Sequence, residues 1–569
     1  MNAPNRAKAL YHTRKRLLYN LHIPQCGGRK VSKESSSTAS RRDHQVGFFD
    51  CACTDTAIAD LSEARSLTFF LGAGVSADQD VPTWAVLVHK LMKGALSTDL
   101  DGRPARDRAI QSNDIAKELI KYYFQLPMAT AVDGLLKAKY GKRSYVQKRN
   151  SSLRRNIYKE ESGADRSFLR NPSLAREVVL TAILLKGSRI ENDPVGDVHI
   201  VTTNYDYAVE EIARDDIDAR REANYWGIRF KTYADSPPED VEPGEIPVVH
   251  IHGAIGRQRG ANAVVFSEPD YSKWFKRGEV LDYVRRRFAE SHLLMLGASL
   301  RDHNIISYLS DTNWNSEHRY AMLPLQGDSA YEIGKQMGFD LISRVQARRA
   351  EEIGIRGIFP DFFGQVHQFL IELRVAAMLQ MGGIPYEEDN YSKRIRRWAR
   401  DFERHATNEQ YRISVTKQLR ALATQIKNKI PEADRVKIEV WVRRNIEDRT
   451  IELWCNSQST LLGKDYWPNE RRIDSDTAAP AVHSFSNRTA VHDLVTDRQD
   501  GRWTHYLAST ILIDQSPYWS LPIGAAVILF HAPNHTEHKL LPSIEPWRGG
   551  LIRYVLDTVE PILQPDESA

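Results

Sequence analysis

Residues 67–76 read LTFFLGAGVS. The apolar run 67–71 stops at Gly72, and a short apolar run bounded by glycine is typical of a buried strand in a parallel sheet. The next apolar residues follow helical spacing and predict a helix that begins just after Pro82: Trp84, Leu87, Val88, Leu91 and Met92. A strand, a glycine turn and a helix in this order open an α/β layered domain.

Similar apolar runs recur along the chain and predict further strands at 198–203, 248–251, 264–266 and 293–296. Helical patterns fill the gaps, so the sequence predicts an α/β domain with a largely parallel sheet over residues 61–385. A long helical segment at about 105–190 reads as an insertion, and 365–382 predicts an amphipathic helix that stops at Gly382-Gly383.

The two flanks of this domain differ from it in composition. Residues 1–60 begin with ten Lys or Arg against two acidic residues up to Gln45, and we predict a basic, disordered arm. Residues 386–430 predict a helical connector. Its basic face around 393–404 is interrupted by Asp401 and Glu403, which favours a solvated helix face, and we do not expect nucleic acid to bind there.

Beyond the connector, residues 431–569 predict a smaller α+β domain. Apolar and polar residues alternate over 436–443, which indicates a half-buried strand, and 451–454 is its candidate hairpin partner. Runs at 506–512 and 523–530 and a closing helix at 551–562 complete the domain.

Composition excludes several classes of protein. The chain has 569 residues, 41% of them hydrophobic and 27% charged, with a net charge of +4, which is typical of a globular protein and too balanced for a nucleic-acid binder. It has no run of about 18 apolar residues, so we expect no membrane span. Four cysteines are too few to stabilise a chain of this size by disulfides, which favours a reducing compartment and hence a cytoplasmic location.

Polar residues follow the predicted strands, at the edge where an open α/β sheet binds ligands. Asn204 and Asp206 follow the second strand, although an Asn-Tyr-Asp turn is also a common helix cap. His250 and His252 end the third strand and, by alternation, share one face, so that one of them could be buried and the other meet solvent.

Two glycine turns lie at the same predicted edge. Gly72, Ala73, Gly74 and Ser76 follow the first strand, and Gly297 and Ser299 follow the strand at 293–296. Such turns let a phosphate approach the backbone and the amides of a following helix. A glycine turn without a ligand is the alternative, since the third glycine of the dinucleotide fingerprint is missing.

Taken in chain order, these motifs resemble the NAD-binding core of the sirtuin family over about residues 64–310. The resemblance is closer to sirtuin-like effectors of bacterial antiphage defence, because Val81-Pro82-Thr83-Trp84 replaces the Pro-Asp-Phe-Arg segment of the deacylases. It implies a Rossmann-type sheet and an NAD site. The implied roles are phosphate and ribose contacts by Gly72, Ala73, Gly74 and Ser76, nicotinamide-ribose contacts by Asn204 and Asp206, a general base at His252, and contacts at the far end of the dinucleotide by Gly297 and Ser299.

The resemblance departs from the deacylases in its cysteines. Deacylases usually carry two Cys-x-x-Cys pairs for a structural zinc, and here no cysteine lies between Cys53 and Cys455. We therefore expect no zinc ribbon and assign no metal ligands, although some deacylase relatives also lack zinc.

The resemblance implies an NAD+ hydrolase that releases nicotinamide and ADP-ribose, with Asn204 and His252 as catalytic residues, acting as a regulated antiphage (abortive infection) effector. An NAD-dependent deacylase or ADP-ribosyl transferase is one alternative. A non-catalytic module that binds NAD or ADP-ribose is another. The region 502–530 resembles part of a GAF-type sensor, with Trp503, Tyr518 and Trp519 as candidate pocket residues, and an unrelated packing module is equally compatible. A sensor implies an activating ligand or phage protein, and we expect a homo-oligomer.

Overall fold

The structure is a computed structural model. It describes residues 48–79, 81–96, 125–158, 173–192, 197–234, 236–256, 264–274, 278–298, 309, 318–323, 354–360, 362–443, 450–458, 470–473, 479–488, 491–494, 503–516, 519–532 and 548–563. Within these residues no helix is long and apolar enough to cross a membrane.

Seven parallel strands form the larger sheet, in the order β3-β4-β2-β1-β5-β6-β7. They are β1 (Ser66–Leu71), β2 (Asp197–Thr202), β3 (Arg229–Tyr233), β4 (Glu245–His250), β5 (His292–Leu296), β6 (Arg319–Met322) and β7 (Arg356–Ile358). The predicted α/β class with a parallel sheet is confirmed. Both faces of this sheet are covered, since Phe69 packs into one apolar cluster and Phe70 into the other.

The helices that accompany this sheet are α1 (Ala52–Glu63), α2 (Trp84–Leu96), α3 (Gln125–Tyr158), α4 (Leu174–Asn192), α5 (Ala208–Asp215), α6 (Ile217–Trp226), α7 (Glu268–Trp274), α8 (Gly278–Glu290) and α9 (Gly364–Met381). Two short 3-10 turns, Phe48–Asp50 and Ala73–Gln79, belong to the same part of the chain.

Six antiparallel strands form a second sheet, in the order β10-β9-β8-β13-β12-β11. They are β8 (Arg435–Val442), β9 (Thr450–Asn456), β10 (Glu470–Arg472), β11 (Val491–Leu494), β12 (His505–Ser516) and β13 (Trp519–His531). After the turn Tyr386–Glu388, its helices are α10 (Tyr391–Ala406), α11 (Glu409–Lys429), α12 (Pro480–Asn487) and α13 (Arg548–Leu563). We call β8–β13 with α11–α13 the C-terminal module. A smaller domain with strands and helices is confirmed, and β9 is the predicted hairpin partner of β8.

Helix α9 joins the two sheets. It ends at Gly382, as predicted, but the predicted amphipathic pattern is wrong, because residues 364–377 are buried on every side of the helix. Phe369 and Leu370 belong to one continuous apolar cluster that also contains Ile438 and Ile528 of the second sheet. α9 packs against α1 and α4 of the α/β part and against β13 and α12 of the C-terminal module, so it has no solvent face over these residues. The predicted boundaries at 385 and 431 stay predictions, and the core is continuous across them.

The chain is folded earlier than predicted. The disordered arm was predicted up to residue 60, yet Phe48 and Phe49 are buried and α1 packs Ala57, Ile58 and Leu61 into the core. The error arose because the basic composition ends near residue 45, before the predicted boundary. Residues 1–47 lie outside the described part of the chain.

The cysteines and the predicted insertion also differ from expectation. Cys51 and Cys53 form a disulfide at the start of α1, whereas the sequence favoured reduced thiols. Helix α4 lies within the predicted insertion at 105–190, but its residues 174–189 are buried against the sheet and α9, so α4 is part of the α/β core. The run 264–266 is buried but is not a strand, because its backbone crosses the sheet edge as a loop.

Candidate functional site

The strand ends that carry the predicted site residues lie level with one another. Leu71 of β1 is in register with Thr202 of β2 and with Leu296 of β5, and Thr202 is in register with His250 of β4. The polar residues that follow these strands therefore meet at one edge of the sheet. The connections of β1 and β5 leave in opposite directions there, which is where open α/β sheets bind ligands.

The two glycine turns contact each other backbone to backbone. The Gly72 N–H donates to Leu296 O at 2.9 Å and the Gly74 N–H donates to Gly297 O at 3.0 Å. A Cβ atom on Gly72 would lie 2.5 Å from Gly297 O, and one on Gly297 would lie 2.5 Å from Val75 N. The glycines are thus required by this close approach of the two turns, and Gly297 also has a positive φ of 63°.

A buried hydrogen-bonded chain connects the turn after β1 with the turn after β2. Asn204 Nδ2 donates to Ser76 Oγ at 3.3 Å, and Ser76 Oγ donates to Asp206 Oδ1 at 3.0 Å. The Ala208 N–H donates to the same Asp206 oxygen at 3.1 Å, so Asp206 also starts α5. Burial raises the pKa of Asp206, although these hydrogen bonds oppose the shift. The structure therefore brings Ser76, Asn204 and Asp206 together.

The side-chain oxygen of Asn204 indicates a position for a ligand contact. Asn204 Oδ1 is buried and has no hydrogen-bond partner among the described residues. Leaving a buried amide oxygen unpaired costs about 1–3 kcal/mol, so such an atom is a candidate contact for a substrate hydroxyl or water.

The turn after β1 departs from the predicted phosphate site in one respect. Gly72 leads into the 3-10 turn Ala73–Gln79, and the α-helix begins only at Trp84. The expected amides of a long helix immediately after the glycines are therefore absent from this described turn.

His250 is the last residue of β4, and His252 lies in the turn that follows it. Both are buried, so the expectation that one of them meets solvent is wrong. His250 Nδ1 donates to Asn204 O at 2.9 Å, and its Nε2 is 2.8 Å from Glu210 Oε1. Burial disfavours a charged ring, but the Glu210 carboxylate outweighs it and raises the pKa of His250. His250 therefore holds the backbone at Asn204, in a role that the sequence did not reveal.

His252 lies in the turn that follows β4, and this turn breaks the strand alternation. Its ring centroid is 5.2 Å from that of Tyr271 and 5.4 Å from that of Trp274, both edge to face. Its carbonyl accepts from the Val265 N–H at 2.9 Å, so the buried loop at 264–266 covers this turn. His252 is 4% exposed and lies against an aromatic wall.

Glu210 is a site residue that sequence reasoning missed. It lies one helical turn after Asp206 and accepts from both His250 and, at 3.0 Å, Thr232 Oγ1. The only available signal was an acidic residue four positions after Asp206, a spacing that is common on any helix surface. Ser299, the last predicted contact, lies outside the described residues.

A second set of buried polar side chains lies along α9, between the turn after β1 and the C-terminal module. Asp78, in the turn after β1, accepts from the Leu174 N–H at 2.6 Å and lies 3.6 Å from His367 Nε2. Two turns after His367 on α9, Arg374 donates to Glu177 at 2.6 Å. Although burial opposes it, the charges of Arg374 and Arg488 lower the pKa of Glu177 to about 2.

Arg488 contacts α9 from the C-terminal module, where it directly follows α12. It donates to Gln368 Oε1 at 2.8 Å and to Ser520 Oγ at 2.6 Å. Burial lowers the pKa of Arg488 to about 10. α9 thus carries buried polar side chains that face three neighbours: His367 faces the turn after β1, Arg374 faces α4, and Gln368 faces the C-terminal module.

Comparison with known families gives one finding for this part of the chain. A family model described as SIR2-like domain matches residues 198–346, about a quarter of the chain. No curated protein matches the sequence. The matched region contains Asn204, Asp206, His252, Gly297 and Ser299, whereas the glycine turn after β1 precedes it. The match supports a sirtuin-like family, whose members are in general NAD-dependent enzymes.

Proposed function

We propose that this protein is an NAD+ hydrolase that releases nicotinamide and ADP-ribose. Water forms a bond to the ribose C1′, the N-glycosidic bond breaks, and its electron pair stays on the nicotinamide nitrogen. The proton of the attacking water passes to a base. Nicotinamide leaves neutral without an acid, because its ring nitrogen is cationic in NAD+. The protein therefore has to supply a positioned base and a pocket that excludes bulk water.

The observation that carries this proposal is the buried Oδ1 of Asn204, which has no hydrogen-bond partner within the part of the chain that the structure describes. Its amide nitrogen is already engaged with Ser76, so its oxygen has one orientation and is available to a ribose hydroxyl or to the attacking water. We assign Asn204 as the residue that positions this group.

His252 is the proposed general base. It lies at the same sheet edge, and the rings of Tyr271 and Trp274 line one side of it. Contact with aromatic side chains keeps a site dry, which strengthens interactions with developing charge. A positioned base typically contributes about 100- to 10,000-fold to the rate.

The proposed NAD-binding residues are the two glycine turns and the polar chain between them: Gly72, Ala73, Gly74, Ser76, Asp206, Gly297 and Ser299. For six of the seven the support is their position in the turns after β1, β2 and β5. For Ser299 it is the sequence resemblance, together with the family match that includes it.

The test is to incubate purified full-length protein with NAD+ and no acceptor, and to measure nicotinamide and ADP-ribose. We expect turnover in the wild type and loss of about 100-fold or more in Asn204→Ala and His252→Ala. Asn224→Ala, at an exposed position of α6, is the matched control and should keep full activity. Circular dichroism of each variant shows that the fold is retained.

Two results would favour the alternatives. Nicotinamide release only after addition of an acyl-peptide or another acceptor indicates a deacylase or ADP-ribosyl transferase. Tight NAD binding without any release indicates either a missing activator or a non-catalytic module.

We further propose that the enzyme is a cytoplasmic, homo-oligomeric antiphage effector, activated through a ligand or phage protein at the C-terminal module. The buried hydrogen bond from Arg488 of this module to Gln368 of α9 supports control by this module, because α9 also carries His367 beside the turn after β1. A catalytic fragment 60–385 would cut α1 and expose α9, so the full chain is the better sample. Arg488→Gln should change NAD+ turnover at least several-fold without loss of fold, and unchanged turnover would contradict this form of control.

A further inference from the structure

Three potential metal-binding side chains converge at the amino-terminal end of the larger sheet. Asp60 comes from α1, His292 is the first residue of β5, and His318 immediately precedes β6. One ligand atom from each lies within 4.8 Å of the others. Because the three residues are far apart in sequence, the fold rather than a local turn assembles them.

The distances fit a shared ion. His292 Nε2 is 3.4 Å from Asp60 Oδ1, and His318 Nδ1 is 3.1 Å from Asp60 Oδ2. Two ligands on a tetrahedral Zn²⁺, each about 2.0–2.1 Å from the ion, are about 3.3 Å apart. The two histidine rings lie with their centroids 4.3 Å apart, so both nitrogens approach the same carboxylate.

The carboxylate is held in place by a further residue. Tyr320 Oη donates to Asp60 Oδ2 at 2.9 Å. A hydrogen bond of this kind orients a ligating carboxylate and is common around protein metal sites. The side chains are 24% exposed for Asp60, 22% for His292 and 42% for His318, which leaves an approach for an ion from solvent.

We propose that Asp60, His292 and His318 form a binding site for a divalent transition metal, with Zn²⁺ as the ion of choice. Imidazole and carboxylate ligands suit Zn²⁺, and water completes the fourth position. The absence of Cys-x-x-Cys pairs argues only against a zinc site with thiolate ligands, and the site proposed here has none.

The ion joins α1 to the starts of β5 and β6 and so has a structural role. His292 and Gly297 stand at opposite ends of β5, about 16 Å apart along the strand, so the ion is remote from the candidate NAD edge. The site is therefore independent of the proposed hydrolysis.

The test uses full-length, tag-free protein stripped with a chelator and titrated with Zn²⁺ against a chromophoric competitor. We expect one tight equivalent per chain in the wild type and loss of about 100-fold in affinity in His318→Gln and Asp60→Asn. Tyr320→Phe should lose about 10-fold, because it removes the hydrogen bond that orients the Asp60 carboxylate. His531→Gln, a partly buried histidine on the second sheet, is the matched control and should bind as the wild type does.

Thermal unfolding supplies a second readout. Added Zn²⁺ should raise the midpoint of the wild type by several degrees and leave that of His318→Gln unchanged. Because His318 is the most exposed of the three ligands, this variant is expected to fold. No binding by the wild type at 100-fold excess of Zn²⁺, or equal affinity in wild type and His318→Gln, would overturn the proposal.

Discussion

Replacing Gly297 by alanine tests the contact between the two glycine turns. Two costs combine at this position. Its φ of 63° is unfavourable for any residue with a Cβ, by about 1–2 kcal/mol. In addition, the new Cβ would lie 2.5 Å from Val75 N and 2.8 Å from Gly74 C. These are backbone atoms of a packed turn, and overpacking of this kind costs about 1–3 kcal/mol. The free energy of unfolding should fall by about 2–5 kcal/mol.

Two other glycines separate these costs. Gly227 has nearly the same φ, 66°, but nothing lies within 4 Å of the place that an added Cβ would take, so Gly227→Ala should lose only about 1–2 kcal/mol. Gly72 has no positive φ, but its Cβ would lie 2.5 Å from Gly297 O, so Gly72→Ala should lose about 1–3 kcal/mol.

The assay is urea unfolding followed by tryptophan fluorescence and by circular dichroism. The order of destabilisation should be Gly297→Ala first, with both single-cost variants closer to the wild type. If Gly297→Ala loses no more than Gly227→Ala, the close approach of the two turns is not needed for stability and the reasoning fails.

Three further predictions concern the core and the helices. Burial lowers the pKa of His367 to about 3, so its neutral ring stabilises the fold above pH 6.5. From pH 7.5 to 5.5 the free energy of unfolding should fall by about 1.4 kcal/mol more in the wild type than in His367→Asn, measured in parallel urea titrations. Equal losses would contradict the burial argument. Phe369→Ala, at a fully buried position of α9, should lower the free energy of unfolding by about 3–5 kcal/mol, whereas Val86→Ala at an exposed position should lower it by less than about 0.5 kcal/mol. Similar melting points for the two variants would be inconsistent with a shared core. Gly134→Ala, at an open position in α3, should stabilise by about 0.5–1 kcal/mol, and a lower thermal midpoint would show that residue 134 is not in an open helical position.

The elements that were predicted correctly are those with a strong local signal. β1, β2, β4 and β5 are apolar runs because both faces of a parallel sheet are buried. β3 was missed because it is a partly exposed edge strand, and β6 and β7 because they have only four and three residues. The strand predicted at 264–266 was wrong because a buried loop needs the same apolar residues as a buried strand.

The candidate site was partly predictable for a similar reason. Asn204 and Asp206 were found because polar residues directly after an apolar strand stand out in the sequence. Their hydrogen bonds through Ser76 and the support of His250 by Glu210 were not predictable, because these contacts join separate segments. The roles in NAD chemistry stay predictions until turnover is measured.

Local patterns were enough to predict the class of fold and the residues that follow each strand, because apolar periodicity and glycine turns are properties of short stretches of the chain. Tertiary structure alone decided which of these residues meet. The glycines are needed because two turns touch, and Asp60 meets His292 and His318 because α1 packs beside the strand starts. α9 is buried all round because α1 and α4 cover one side of it and the C-terminal module covers the other. Each depends on distances between segments far apart in sequence, which no local pattern encodes.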